Sequence, residues 1–193
     1  LWDGRALVSV VGFRFLRTRV LGVPVPFHRD FDEVNLRFYV RHVAAGGEVR
    51  RGVTFVRELV PHAAIALVAR VTYDEPYRAL PMRSVAPAAA TDAPGRVSYA
   101  WRRDRAWEEV AGVAVGAPIR PRDDSEAAFI TEHYWGYTRR RRGGTTEYEV
   151  SHPPWRVWAA EDVALRADVA RLYGPGFVAP LAAPPRSAFI AEG

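Results

Sequence analysis

The sequence predicts an α+β fold: a large antiparallel sheet, curled into a barrel, around one buried helix. Three observations carry this. Strand-like segments come in hairpin pairs joined by short turns such as Gly46-Gly47 and Arg103-Asp104, the antiparallel form of connection. Glu33–Val43 alternates polar and apolar residues, the period of a strand with two distinct faces. Pro61–Tyr73, the best helical stretch, has almost no polar face, and a helix apolar all round must be covered on several sides. No linker, repeat or low-complexity block interrupts the chain, so residues 1–193 are read as a single domain with trimmed termini, since the first residue is Leu1 and not Met.

In chain order, Arg5–Leu16 is rich in Val, Leu and Phe and reads as a strand. Leu21–Phe27 carries Pro24 and Pro26 and reads as a loop or an edge. Along Glu33–Val43, Val34, Leu36, Phe38 and Val40 share one face, and Glu33, Asn35, Arg37, Tyr39 and Arg41 the other. Gly46-Gly47 turns the chain into a partner strand, Arg51–Leu59. Pro61 suits a first helical position, and Arg70 is the one charge inside the apolar helix that follows. Asp74–Ala93 is irregular, broken by Pro76, Pro81 and Pro87. Gly95–Arg103 and Arg105–Val115 form a second hairpin. Ser125 and Glu126 ahead of an apolar run predict a capped short helix, Asp124–Thr131. His133–Arg139 and Thr145–Ser151 make a third hairpin. Val157–Ala170 holds one or two more strands, Leu172–Pro185 is a Gly/Pro-rich loop, and Arg186–Ala191 is a final strand.

Composition removes several chemistries. All 27 basic residues are Arg; there is no Lys and no Cys. Side-chain Schiff bases, a P-loop lysine, thiolate nucleophiles, disulfides, zinc fingers and iron–sulfur clusters are therefore excluded. The dominance of Ala, Arg, Val, Gly and Pro fits a GC-rich genome. No run approaches the roughly 18 apolar residues of a membrane span, and the absence of Cys fits a cytoplasmic protein. The five His (28, 42, 62, 133 and 152) lack metal-binding spacing, so no metal and no cofactor is expected. There is no GxSxG and no phosphate-cradling glycine loop.

Several blocks resemble the YqjF-like family of uncharacterised conserved proteins. They are Phe31-Asp32-Glu33-Val34-Asn35-Leu36-Arg37-Phe38-Tyr39-Val40, Arg51-Gly52-Val53-Thr54-Phe55, Tyr77-Arg78-Ala79-Leu80-Pro81-Met82, Thr131-Glu132-His133-Tyr134-Trp135-Gly136-Tyr137 and His152-Pro153-Pro154-Trp155. The resemblance implies a relative of the acetoacetate decarboxylase-like fold, a curled antiparallel barrel with an internal pocket. In that enzyme a lysine attacks a ketone as a free amine. The decarboxylase lysine pair falls near Tyr77-Arg78-Ala79, and Arg78 stays protonated and cannot form an imine. A decarboxylase acidic residue falls near Glu33; another falls near Val11, where the carboxylate is missing.

The candidate ligand-binding set is Glu33, Asn35, Arg37, Tyr39, Arg57, Arg70, His133 and Tyr137. If the barrel interior is wet, the Glu33 face offers a carboxylate, an amide, a guanidinium and a phenol. Arg37 could grip a carboxylate bidentately and Glu33 could act as a general base. Alternation alone leaves open whether that face looks inward or meets solvent. Arg57 shares the apolar face of its strand, with Glu33 or another carboxylate as a partner, or else its head reaches water. Arg70 carries the same two readings. His133 beside Tyr134, Trp135 and Tyr137 is a titratable group among aromatics or a structural one.

Three functions follow. The first is a pocket protein for a small organic anion or carbonyl compound, with any catalysis acid–base and not imine-based. The second is a non-catalytic structural or regulatory module with a packed barrel. The third is nucleic-acid binding through the Arg139–Arg142 hairpin tip, against which the same residues read as a solvated turn. A homo-oligomer is open; a membrane partner is not expected.

Overall fold

The computed structural model describes residues 1–16, 18–20, 23–24, 30–85, 95–150 and 152–191. Two curled sheets carry the architecture. The first contains β1 (Val8–Phe15), β4 (Phe31–Val43), β5 (Val49–Val60), β10 (Trp135–Arg139) and β11 (Thr145–Glu149) in that spatial order, with β6 (Tyr77–Ala79) also on β5. The second runs β13 (Phe189–Ala191), β12 (Val157–Arg166), β9 (Ala106–Ile119), β8 (Arg96–Arg103), β7 (Met82–Val85). A small ribbon pairs β2 (Arg19–Val20) with β3 (Val23–Pro24). Pairing is antiparallel except where β10 and β6 join β5 in parallel. The three expected hairpins are all present, with Gly47 and Asp104 taking the positive φ (83° and 55°) that their turns require.

The main core lies between the sheets. Val34, Leu36 and Leu59 of the first meet Trp101 of the second, with Leu172 and Tyr173 closing one end. Burying each large apolar side chain contributes roughly 1.5–3 kcal/mol. Glu108 is anchored beside this core by three donors: Trp101 Nε1 at 2.7 Å, the buried Arg103 guanidinium, and the backbone N–H of Asp168 at 3.1 Å.

Helix α1 (Ala63–Thr72) departs from expectation. It packs Ala66 against Phe31 and Val60, but Leu67, Val68 and Val71 are exposed, and so is Arg70. Of the alanines that make the segment read as apolar, Ala66 is core, whereas Ala63 and Ala64 are exposed and serve as helix formers. Pro61 also falls outside the helix, because β5 continues to Val60 and the helix begins only after the N-cap, His62.

Two regions read as irregular are ordered. Glu75 onward yields β6 and β7 around Pro81; residues 86–93 lie outside the described residues, as do 25–27, His28 and Ser151. Leu172–Pro185 is mainly helical, with α3 (Val169–Tyr173), a 3₁₀ turn (Pro175–Phe177) and α4 (Val178–Ala182). Gly174, at φ 105°, separates helical turns there, and Pro175 starts the next one without a missed hydrogen bond. Helix α2 (Glu126–Thr131) is capped as expected: the Ser125 hydroxyl accepts from the Ala128 N–H at 3.2 Å. No described helix is long and apolar enough to cross a membrane.

Candidate functional site

The two faces of β4 have opposite fates, and both are buried. Val34 and Leu36 enter the inter-sheet core, while Glu33, Asn35 and Arg37 line a broad cleft of about 2240 Å³. That volume is more than twice the roughly 1,000 Å³ of a large small-molecule pocket. Over Glu33–Arg37 the polar face of β4 therefore looks into the cleft, whereas Arg41 meets solvent.

A bulge decides which residues of β5 join it. Leu36 pairs with Arg57, but Arg37 pairs with Phe55, so Val56 is an extra residue and the side-chain parity reverses. Val53 and Phe55 therefore share the cleft face with Glu58, not with Arg57. Arg57 instead lies on the face of Leu36 and Leu59, near Tyr173, with its Nε buried and without a hydrogen-bond partner among the described residues. It makes no ion pair with Glu33, which is engaged elsewhere.

At one end of the cleft the fold gathers three glutamates. Glu33 and Glu58 are each 1% exposed and Glu75 is 3% exposed. Glu33 accepts a hydrogen bond from Asn35 Nδ2 at 2.9 Å and another from the Tyr77 hydroxyl at 2.8 Å. Burial pushes its carboxyl up to about 7; the two hydrogen bonds oppose that rise and the Glu75 charge adds to it. Burial, then the Glu33 and Glu75 charges, push Glu58 well above the carboxylate range. The hydroxyls of Tyr77 and Tyr148 are raised by burial and by the same glutamates. Glu58 Oε2, both oxygens of Glu75 and Asn35 Oδ1 are buried with no hydrogen-bond partner among the described residues.

Tyr148 reaches the cluster because its cross-strand neighbour is Gly136. A Cβ there would stand 2.2 Å from the tyrosine Cζ. Among the described residues, no group of three or more His, Cys, Asp or Glu is arranged to hold a metal ion.

The other end of the cleft is basic and aromatic. Arg37 Nη2 donates to the Ile130 carbonyl at 3.2 Å, and its Nε is buried without a partner among the described residues. His133 packs on Tyr39 at 4.8 Å and edge-on to Phe129 at 5.3 Å. Its imidazole is pushed down to about 3, by burial first and then by the Arg51 and Arg37 charges, so it is neutral. Tyr39 donates to the Ser9 hydroxyl at 2.8 Å, beside the cleft wall.

Of the eight residues singled out from the sequence, Glu33, Asn35, Arg37 and His133 line the cleft, with Tyr39 against them. Arg57, Arg70 and Tyr137 do not join them. Tyr137 packs at a tilt against His42 outside the cleft, its hydroxyl pushed up to about 12 by burial and by Glu147. Glu58, Glu75, Tyr77 and Tyr148 were not among the candidates. Tyr77 and Tyr148 carry the strand alternation that could have flagged them, whereas Glu75 sits in a loop without any period.

Chemically, the cleft can anchor an anion at Arg37 and hold or release a proton near neutral pH at Glu33. It has no amine with which to form an imine.

The chain belongs to the DUF2071 family, described as "Uncharacterized conserved protein (COG2071)", which it matches over residues 1–193. Comparison with curated proteins gives no match. Among solved structures, the chain is similar to the crystal structure of acetoacetate decarboxylase from Legionella pneumophila subsp. pneumophila str. Philadelphia 1, at 13% identity and a TM-score of 0.48. That similarity covers 76% of this chain and 59% of the decarboxylase chain, so this chain spans less than two thirds of that protein.

Proposed function

We propose that this member of the family binds a small organic anion or carbonyl compound in the cleft against β4, with Arg37 as the anchor and Glu33 as the group that moves a proton. The observation that carries the reading is Arg37 itself. It lines the cleft, donates to one backbone carbonyl, keeps a buried Nε unpartnered, and has no ion pair among the described residues. A guanidinium so placed is matched to a carboxylate. Chemistry at the bound ligand is acid–base, since no lysine is present. The cytoplasm is the compartment this reading assumes.

The rival readings have less support. A packed, non-catalytic module has no use for a cleft of this size. The Arg139–Arg142 tip is exposed, but Arg141 lies 3.5 Å from Asp74 and Arg140 Nε donates to Thr146. A nucleic-acid role there requires binding that falls steeply with salt.

The test is a thermal-shift screen of small carboxylates on the wild-type chain and Arg37→Ala. A ligand at a hundred times its Kd stabilises by about 2.7 kcal/mol, which is roughly 5–10 °C for a chain of this size. The expected result is a set of shifts that the substitution abolishes. If Arg37→Ala keeps every shift, the anchor is elsewhere.

A further inference from the structure

We infer that the acidic end of the cleft receives a cationic hydrogen-bond donor, an ammonium or amidinium, so that the ligand carries a basic nitrogen at one end and a carboxylate at the other. This rests on the anchoring role proposed for Arg37 and extends it to the opposite end of the same site.

The inference stands on what the buried groups lack. Four acceptor atoms from three cleft-lining side chains, Asn35, Glu58 and Glu75, have no hydrogen-bond partner among the described residues. Each side chain is at least 97% buried. Leaving such groups unsatisfied is destabilising by about 1–3 kcal/mol each. Asn35 is the telling one, because it is neutral. Its Nδ2 is committed to Glu33, which leaves Oδ1 as a pure acceptor beside the glutamates. An anion brings no donor to these acceptors; a donor-rich cation satisfies the amide oxygen and the carboxyl oxygens together.

Spacing links the two ends. Asn35 faces Glu58 across the ladder, and Arg37 follows two residues later on the same face, roughly 7 Å along the strand. A short ω-amino acid spans that gap.

Calorimetric titration of the full chain near neutral pH, with 5-aminopentanoate, pentanoate and pentylamine as probes, tests this. The amino acid is expected to bind at least about ten-fold more tightly than pentanoate. Glu58→Gln, close in shape to the native side chain, is expected to bring the affinity ratio of 5-aminopentanoate to pentanoate down toward one. If 5-aminopentanoate binds no more tightly than pentanoate, the inference is overturned while the Arg37 reading survives. If both amines bind and Arg37→Ala weakens neither carboxylate probe, the Arg37 reading falls and the cation site stands. Failure of both amines to bind at about 10 mM, where even a millimolar site fills, overturns the inference on the wild-type chain alone, whatever the variant's stability.

Discussion

Replacing Glu33 with Gln separates the energetics of the buried carboxyl from its shape. In the folded chain burial raises this group from 4.5 to about 7, so between those values the folded state holds a proton that the unfolded state has released. The resulting stabilisation is complete below pH 4.5 and is lost as pH rises through 7. The shift corresponds to roughly 3 kcal/mol for a group that is 1% exposed. Gln is neutral at every pH and accepts from Tyr77 as Glu33 does. Asn35 can turn its unpartnered Oδ1 toward the new amide, so the two chains should differ by no more than about 1 kcal/mol at pH 5. Urea denaturation at pH 5 and pH 8 reads the outcome. The wild type should lose about 2.5 kcal/mol more than Glu33→Gln over that interval, since part of the effect is already lost at pH 5. Glu58 does not cancel fully, because the substitution also removes the Glu33 charge that helps to raise it; the difference between the chains therefore reads Glu33 together with its coupling to Glu58. Equal losses in the two chains would refute the assignment of a raised Glu33.

Three further outcomes follow from the same geometry. Gly136→Ala puts a methyl group into the Tyr148 ring and should destabilise by about 1–3 kcal/mol in urea; an unchanged midpoint would mean that the ring is not held there. Glu108→Ala removes the closer partner of the buried Arg103, leaving it Asp168 at 3.5 Å, and should lower stability by about 3 kcal/mol, the low end of what breaking a buried pair costs, measured the same way. His133 is held down to about 3, so its imidazole resonances should not move between pH 8 and pH 5; its neutrality supports the fold above 6.5 and is lost as an advantage as pH falls toward 3. A titration step near 6.5 in the NMR spectrum would contradict that burial.

Much of this architecture is legible in local pattern. Alternation and turn chemistry locate β4, β5 and the three hairpins, and they isolate Glu33–Asn35–Arg37 as one face. What pattern cannot carry is parity across a bulge. Strict alternation assigns Val53, Phe55 and Arg57 to one face, whereas the extra residue Val56 brings Glu58 to the cleft and sends Arg57 into the core. Glu75 sits outside any period, and only the return of the chain from α1 into β6 brings it beside Glu58. Helix α1 escapes the pattern for a different reason: an all-apolar composition does not say which side meets the core, and here Ala66 faces inward while Leu67 and Val68 face out.

The two buried acidic sites of this chain argue for different origins. Glu108 is surrounded by donors from Trp101, Arg103 and the Asp168 backbone, so its charge is matched within the fold. Glu33, Glu58 and Glu75 are also buried, yet no arginine pairs with them among the described residues; their neighbours are an amide and two phenols, Asn35 on Glu33, Tyr77 beside Glu33 and Glu58, and Tyr148 beside Glu75. Folding alone does not favour such an arrangement, because apolar residues of similar volume would pack there without charge repulsion or orphaned oxygens. Three carboxyls gathered at a cleft wall, with one titrating near neutrality, are a destabilising feature of the kind found where a site must exchange protons or receive charge. The absence of lysine closes the imine route for this chain, and on the proposed reading the proton held at Glu33 is the one its cleft would move.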